Sequence, residues 1–331
     1  MNQDIIFNQI GDASILEYRD SKIPSPSDNE VCIKVDAIGL NRAEIMFREG
    51  NYLEQPRFPS RLGYEASGTI ESFGKDVTGF KLGDKVSTIP AFSMGIHGVY
   101  GKYVKVPAHA AAHYPENLSA IQAAAIWMQY LTAYGALIDI GKLKAKQTIL
   151  ITAASSSVGI ASIQLAKQIG ATVIACSRRH DKKSSLLAAG ADFHIATETQ
   201  SLVKEVMNIT DGKGAQLIFD AIAGPIIQDL AEAAAQSAQI IEYGALDSRE
   251  TPFPLYTALA KGLSIRGYTL FEITQNPERL AWAKEYVYRR LKSGEIKPLV
   301  DKIFAFEQIQ LAHEYMERNQ QVGKIIVKVD H

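Results

Sequence analysis

The stretch that decides the reading is Ala153-Ala154-Ser155-Ser156-Ser157-Val158-Gly159. It follows a β-branched apolar run, Thr148 to Thr152, and opens a segment rich in Ala, Ile and Leu that continues to Ile169. Strand, short turn and helix in that order, with small residues at G-x-G-x-x-G spacing, form a turn whose backbone N–H groups and helix N-terminus can face a pyrophosphate. Ala154 and Ser156 fill the first two glycine slots and Gly159 the third. Ser156, Ser157 and Val158 are therefore candidate phosphate contacts. With two glycines replaced, the motif alone equally describes a tight strand-to-helix turn capped by serine.

Outward from this turn the pattern repeats. Strand-like runs at Thr172 to Cys176, Phe193 to Ile195, Gln216 to Asp220 and Gln239 to Tyr243 alternate with helical periods up to Gly190, around Leu202 to Ile209 and at Ile226 to Ala235. Such alternation means right-handed βαβ units and a doubly wound parallel sheet, an α/β fold. The first third differs: Glu30 to Ile38, Ala66 to Phe73 and Lys85 to Thr88 are β-branched runs bounded by Gly, Pro and Asp, the marks of an irregular antiparallel barrel. Ser119 and Gln122 have capping-box spacing ahead of an apolar run past Trp127 and Leu131, which predicts one long helix joining the two parts. After Leu263 to Tyr268 come a helix at Pro277 to Lys292, a strand at Lys302 to Phe304, a helix at Phe306 to Arg318 and a strand at Lys324 to Val329. This tail is too short to stand alone and is expected to complete the first domain.

The 331 residues suit two domains, and 47% hydrophobic with 21% charged residues is ordinary globular material. Thirty-five basic and 36 acidic residues argue against a nucleic-acid or membrane-surface protein. The two cysteines, Cys32 and Cys176, support neither a disulfide framework nor a multi-cysteine metal lobe. The apolar stretch Ala120 to Ile140 is broken by Gln122, Gln129 and Asp139, so a buried helix is expected rather than a membrane span. No basic-then-apolar leader stands at the N-terminus, and a cytoplasmic setting is expected.

About 20 residues after the turn, where an NAD-binding domain places an acid for the ribose 2′-hydroxyl, stands Ser177-Arg178-Arg179-His180. Cations here and at Lys182 and Lys183 crowd a helix start, the end where positive charge is disfavoured. A 2′-phosphate would relieve that conflict, so NADPH is the expected cofactor, held by Ser177, Arg178 and Lys182. The plainer alternative is a solvated basic corner.

Nearly the whole chain now resembles the medium-chain dehydrogenase/reductase superfamily, in its zinc-independent quinone oxidoreductase-like branch. The resemblance rests on the turn at Ala153 to Gly159 with Gln164 to Lys167, on Ala37 to Asn41, Leu62 to Gly68 and Phe80 to Val86, and on Phe219-Asp220, Tyr243 to Ala245 and Gly323-Lys324. It implies a GroES-like β-barrel catalytic domain over residues 1–125 and 265–331, and a Rossmann domain binding NADPH over 126–264. It further implies a cofactor between them and a homodimer. The branch's usual glycines are replaced by Ser156 and Ser157. Against zinc alcohol dehydrogenases the departures are larger: Asn41 stands in the cysteine ligand slot and Tyr64 in the histidine slot, and the four-cysteine structural lobe is missing. No metal is expected.

Without a Lewis acid, quinones and α,β-unsaturated carbonyls are the natural hydride acceptors, since donors can meet the charge that develops on oxygen. Asn41 is expected to position cofactor or substrate, and Tyr52 and Tyr64 to donate to that oxygen; packing aromatics are the alternative for both tyrosines. The resemblance and the carboxyl strand ends add Thr132, Ala223, Tyr243, Gly244, Leu246, Phe271 and Lys324 as cofactor contacts. Two rival readings are a non-catalytic NADPH- or RNA-binding protein on the same fold and a zinc-type alcohol dehydrogenase.

Overall fold

The structure is a computed structural model and describes residues 2–331. Two compact units are present, one of Met1–Met128 with Thr274–His331, the other Gln129–Ile273.

The second unit is built on six strands, Thr148–Ile151, Thr172–Ser177, Phe193–Ala196, Ala215–Asp220, Ala234–Glu242 and Ser264–Gly267. Counted one to six along the chain, they lie in the order 3-2-1-4-5-6, and every pairing is parallel. The first strand is thus central, and the order reverses beside it, which places ligands at its carboxyl end. Leu150, Ile174, Ile218 and Ile240 from four neighbouring strands pack in one core with Leu202, Val206, Ile227 and Leu230 from the crossover helices. The helix Ser157–Ile169 ends in the left-handed Gly170, a residue able to take that conformation without a Cβ penalty.

In the first unit a sheet runs Val300–Ala305, Lys324–Lys328, Glu30–Gly39, Glu65–Phe73, Lys85–Thr88, Ala111–His113, with Tyr103–Pro107 also on Glu30–Gly39. Only the pairing of Val300–Ala305 with Lys324–Lys328 is parallel. Register shifts between Glu30–Gly39 and Glu65–Phe73 give the sheet its irregularity. The C-terminal strand joins Glu30–Gly39, so the tail is part of this sheet.

Three readings need correction. The long joining helix is two: Ala120–Ala123, with the Ser119/Gln122 box in place, and Trp127–Tyr134, which runs into a π-helical turn at Gly135–Ile140. Packing breaks it. Gly39 lies so close to the Ala124 carbonyl that a Cβ there would stand 1.9 Å from its oxygen. Next, the Glu65 carboxylate accepts from Met128 N–H at 2.9 Å and starts the second helix afresh. The helix expected to reach Ala235 stops at Ala233, where strand five begins. The helix Leu255–Lys261, which the sequence reading passed over, follows the Pro254 turn.

Candidate functional site

At the end of the first parallel strand, Ala153 takes a left-handed φ of 42°. Ser156 then caps the next helix, its Oγ accepting from Gly159 N–H at 3.0 Å. Gly159 is required by space: a Cβ would come 2.4 Å from the Ala154 carbonyl oxygen. The Ser156 hydroxyl oxygen is thus engaged inside the protein as a cap. What faces outward is backbone, because the N–H groups of Ser157 and Val158 open a 13-residue helix and have no carbonyl behind them.

Strand two ends at Ser177, whose Oγ donates to the Arg179 carbonyl at 2.9 Å and lies 2.7 Å from His194 Nε2. Lys182 is buried and reaches back to Ser155 Oγ at 3.4 Å, tying the basic corner to the turn. Arg179 is neutralised by Asp181 at 2.7 Å. Arg178 is exposed and has no ion-pair partner among the described residues. Backbone donors, a close-packed turn and a spare guanidinium fit a dinucleotide phosphate, with Ser155 the residue the motif reading missed.

Two further turns meet at the carboxyl edge. Leu246 N–H donates to the Ala221 carbonyl at 3.1 Å and Asp247 N–H to that of Ile222 at 2.9 Å. Gly244 allows the approach, since a Cβ would stand 2.7 Å from the Ala221 oxygen. Ala223 N–H is held by Asp220 at 2.7 Å, and Tyr243 stacks on Phe219 with centroids 4.0 Å apart. Beside them Glu242 is pushed up to about 9, first by burial and then by the neighbouring negative charge of Asp220. Glu242 therefore carries a proton at neutral pH. Thr132 is buried in the helix Trp127–Tyr134, and Phe271 opens the short helix Phe271–Thr274.

The first unit gathers Asn41, Tyr52, Tyr64 and Lys324 around buried acids that the sequence reading did not single out. Asn41 caps the helix Arg42–Arg48. Its Nδ2 donates to Glu44 Oε1 at 3.1 Å and to the Gly39 carbonyl at 3.2 Å, while its Oδ1 accepts from Lys324 Nζ at 2.5 Å. Both amide protons are thus committed within the protein, so Asn41 orders the site and has no N–H left for a ligand. Lys324 also bonds the carboxylate of Glu65, the group that starts the helix at Trp127. This buried pair keeps each charge compensated.

Glu44 collects four donors: Asn41 N–H at 2.8 Å, Asn41 Nδ2, Tyr64 N–H at 3.1 Å and the Tyr100 hydroxyl at 2.7 Å. Burial pushes its carboxyl up, while the Tyr100 and Asn41 hydrogen bonds and the Lys324 charge pull it back. Behind Tyr100 stands His313, Nε2 at 3.0 Å, and behind His313 stands Arg48 Nη1, 3.0 Å from Nδ1. Arginine only donates, so Nδ1 accepts, Nε2 carries the proton and donates to Tyr100, and Tyr100 donates to Glu44. Burial and the Arg48 charge hold His313 down to about 3, hence neutral.

Tyr64 is fully buried and Tyr52 half-buried in the following loop, their ring centroids 6.5 Å apart at 61°. Burial raises both phenols, so both stay protonated. Among the described residues no group of three or more His, Cys, Asp or Glu could hold a metal ion.

Residues 27–116 match the family model described as the alcohol dehydrogenase GroES-like domain, and 157–285 that of zinc-binding dehydrogenases. A quinone oxidoreductase of Pseudomonas aeruginosa is 28% identical over 99% of both chains. Among solved structures, an NAD-dependent alcohol dehydrogenase superposes with a TM-score of 0.92 at 28% identity, covering 99% of this chain and 100% of that one. The Escherichia coli quinone oxidoreductase complexed with NADPH gives 0.90 at 26% identity over 98% and 99%. The two units and their sites are those of an oxidoreductase. Within that class, the chain belongs to the medium-chain dehydrogenase/reductase superfamily and is quinone oxidoreductase-like.

Proposed function

We propose that the protein is an NADPH-dependent reductase that delivers hydride to a quinone or an α,β-unsaturated carbonyl without a metal. The observation that carries this reading is the pair of protonated phenols Tyr52 and Tyr64, ring centroids 6.5 Å apart, with Tyr64 standing where the metal-ligand motif would place a histidine. When bound, NADPH supplies the hydride. The chain supplies the rest. Ser157 and Val158 N–H groups hold the pyrophosphate, and Arg178 with Lys182 holds the 2′-phosphate, where a carboxylate would select NADH. Tyr52 donates to the acceptor oxygen as negative charge develops there. Lys324, Glu65, Glu44 and Asn41 hold the loop and helix that carry these groups.

The similarity of named quinone oxidoreductases and the NADPH complex of one of them support the acceptor class and the cofactor. The test is turnover of a 2-alkenone or quinone by Tyr52→Phe. Its kcat should fall by roughly 100-fold, the worth of one oxyanion donor, with NADPH affinity unchanged. Wild-type protein that binds NADPH without turnover overturns the reading in favour of a non-catalytic binding protein, and a Tyr52→Phe variant as fast as wild type overturns the assignment of Tyr52 as the donor.

A homodimer is part of the same proposal. Strand Ser264–Gly267 ends the parallel sheet with no further described partner, and Phe253, Leu255, Tyr256 and Leu259 nearby in sequence are 50–85% exposed. An open strand edge beside apolar side chains is a pairing surface.

A further inference from the structure

A cavity of about 400 Å³ in the first unit takes no part in the site described above. One wall is the helix Pro277–Ser293, which presents Ala281, Lys284, Glu285 and Tyr288, one face at helical spacing. The facing wall is the edge strand Ala111–His113 with Phe80, and Trp127 lines it as well. Alanines at 111, 112 and 281 leave the space open between the larger rings.

The rings are held in place. Phe80 and His113 stack with centroids 5.2 Å apart at 30°, and Trp127 Nε1 donates to Ser87 Oγ at 2.9 Å. The charges are unequal. His113 is matched by Asp84 at 3.0 Å, and Glu285 by Arg289. Lys284 has no acid partner among the described residues, although it is half-buried and burial lowers its pKa. An ammonium drawn out of water without a counter-charge is a cost that an anion in the cavity would remove. A volume within the range of small-molecule sites, ordered aromatic walls and one uncompensated cation define one chemistry together.

We propose that this cavity is a second binding site, for a small carboxylate carrying an aromatic ring, with Lys284 pairing the carboxylate and Phe80, Trp127 and Tyr288 receiving the ring. The proposal does not depend on the reductase reading. The test is ¹⁹F NMR of the full chain labelled with 5-fluorotryptophan, whose two tryptophans are assigned with Trp282→Phe. Titration with 3-phenylpropanoate should shift the Trp127 resonance saturably and leave that of Trp282, 61% exposed, in place. Lys284→Met should weaken this binding by about tenfold, the worth of one charge-assisted hydrogen bond, and Lys284→Arg should restore most of it. The neutral 3-phenylpropanol should bind as weakly as the acid binds the Met variant. A Trp127 resonance that does not move, or that moves equally in Lys284→Met or with the alcohol, overturns the proposal. Saturating NADPH present throughout separates this site from any carboxylate effect at the nucleotide.

Discussion

Lys324 shows how much one side chain can organise. Fully buried, it compensates Glu65, orients Asn41 and through Glu65 fixes where a helix begins. The sequence marked Lys324, Asn41 and both tyrosines as site residues but was silent on Glu44, Tyr100 and His313. The reason is separation: Tyr100 meets Glu44 across 56 residues and His313 across 213, and no local spacing records such contacts. Glu242 was equally hidden, its character set by burial against Asp220. It carries a pH prediction. Its folded pKa of about 9 stands above the usual 4.5, so between those values the folded state holds a proton that the unfolded state has lost, and stability falls as pH rises. Glu242→Gln removes that slope. The variant should gain on the order of 1–3 kcal/mol over wild type at pH 8 and little at pH 5 in urea unfolding.

At the scale of elements, the strand–turn–helix at Ala153 to Gly159 was legible because Gly159 and the flanking periods encode it locally. The use of its serines was not: Ser156 works as a cap, and Ser177 as a clasp on Arg179 and His194. The proposed phosphate binding therefore rests on backbone and cations. The basic corner joins the turn through Lys182 and Ser155, and Arg178 at the strand end has no ion-pair partner among the described residues. Arg178→Ala should weaken NADPH binding by about tenfold and leave NADH binding unchanged, as read by nicotinamide fluorescence titration. The broken joining helix teaches the converse lesson. Its residues are good helix formers, and the break comes from Gly39 and Glu65, 85 and 63 residues away in the chain.

Across the whole molecule, the alternation of strands and helices predicted the parallel sheet, because each βαβ unit is local and its handedness fixed. The barrel-like unit was legible only in outline, since its strands pair across long separations and Tyr103–Pro107 joins Glu30–Gly39 off the main path. The edge strand Ser264–Gly267 of the parallel sheet and the exposed apolar side chains that precede it in sequence lead to an association prediction. Wild type should elute as a dimer in size exclusion with light scattering, and the Tyr256→Asp, Leu259→Asp double variant as a monomer with its far-UV circular dichroism intact. A wild-type monomer would contradict it.

The central claim is metal-free hydride delivery from NADPH, and nicotinamide oxidation by exhaustively chelated protein tests it most directly. NADPH and NADH are run in parallel against quinones, 2-alkenals, 2-alkenones and simple ketones. The structure predicts that activity survives chelation, that NADPH is preferred at least about tenfold, and that quinones or enones outpace simple ketones. Loss of activity on chelation with recovery on adding zinc, or preference for NADH and simple ketones, would contradict it.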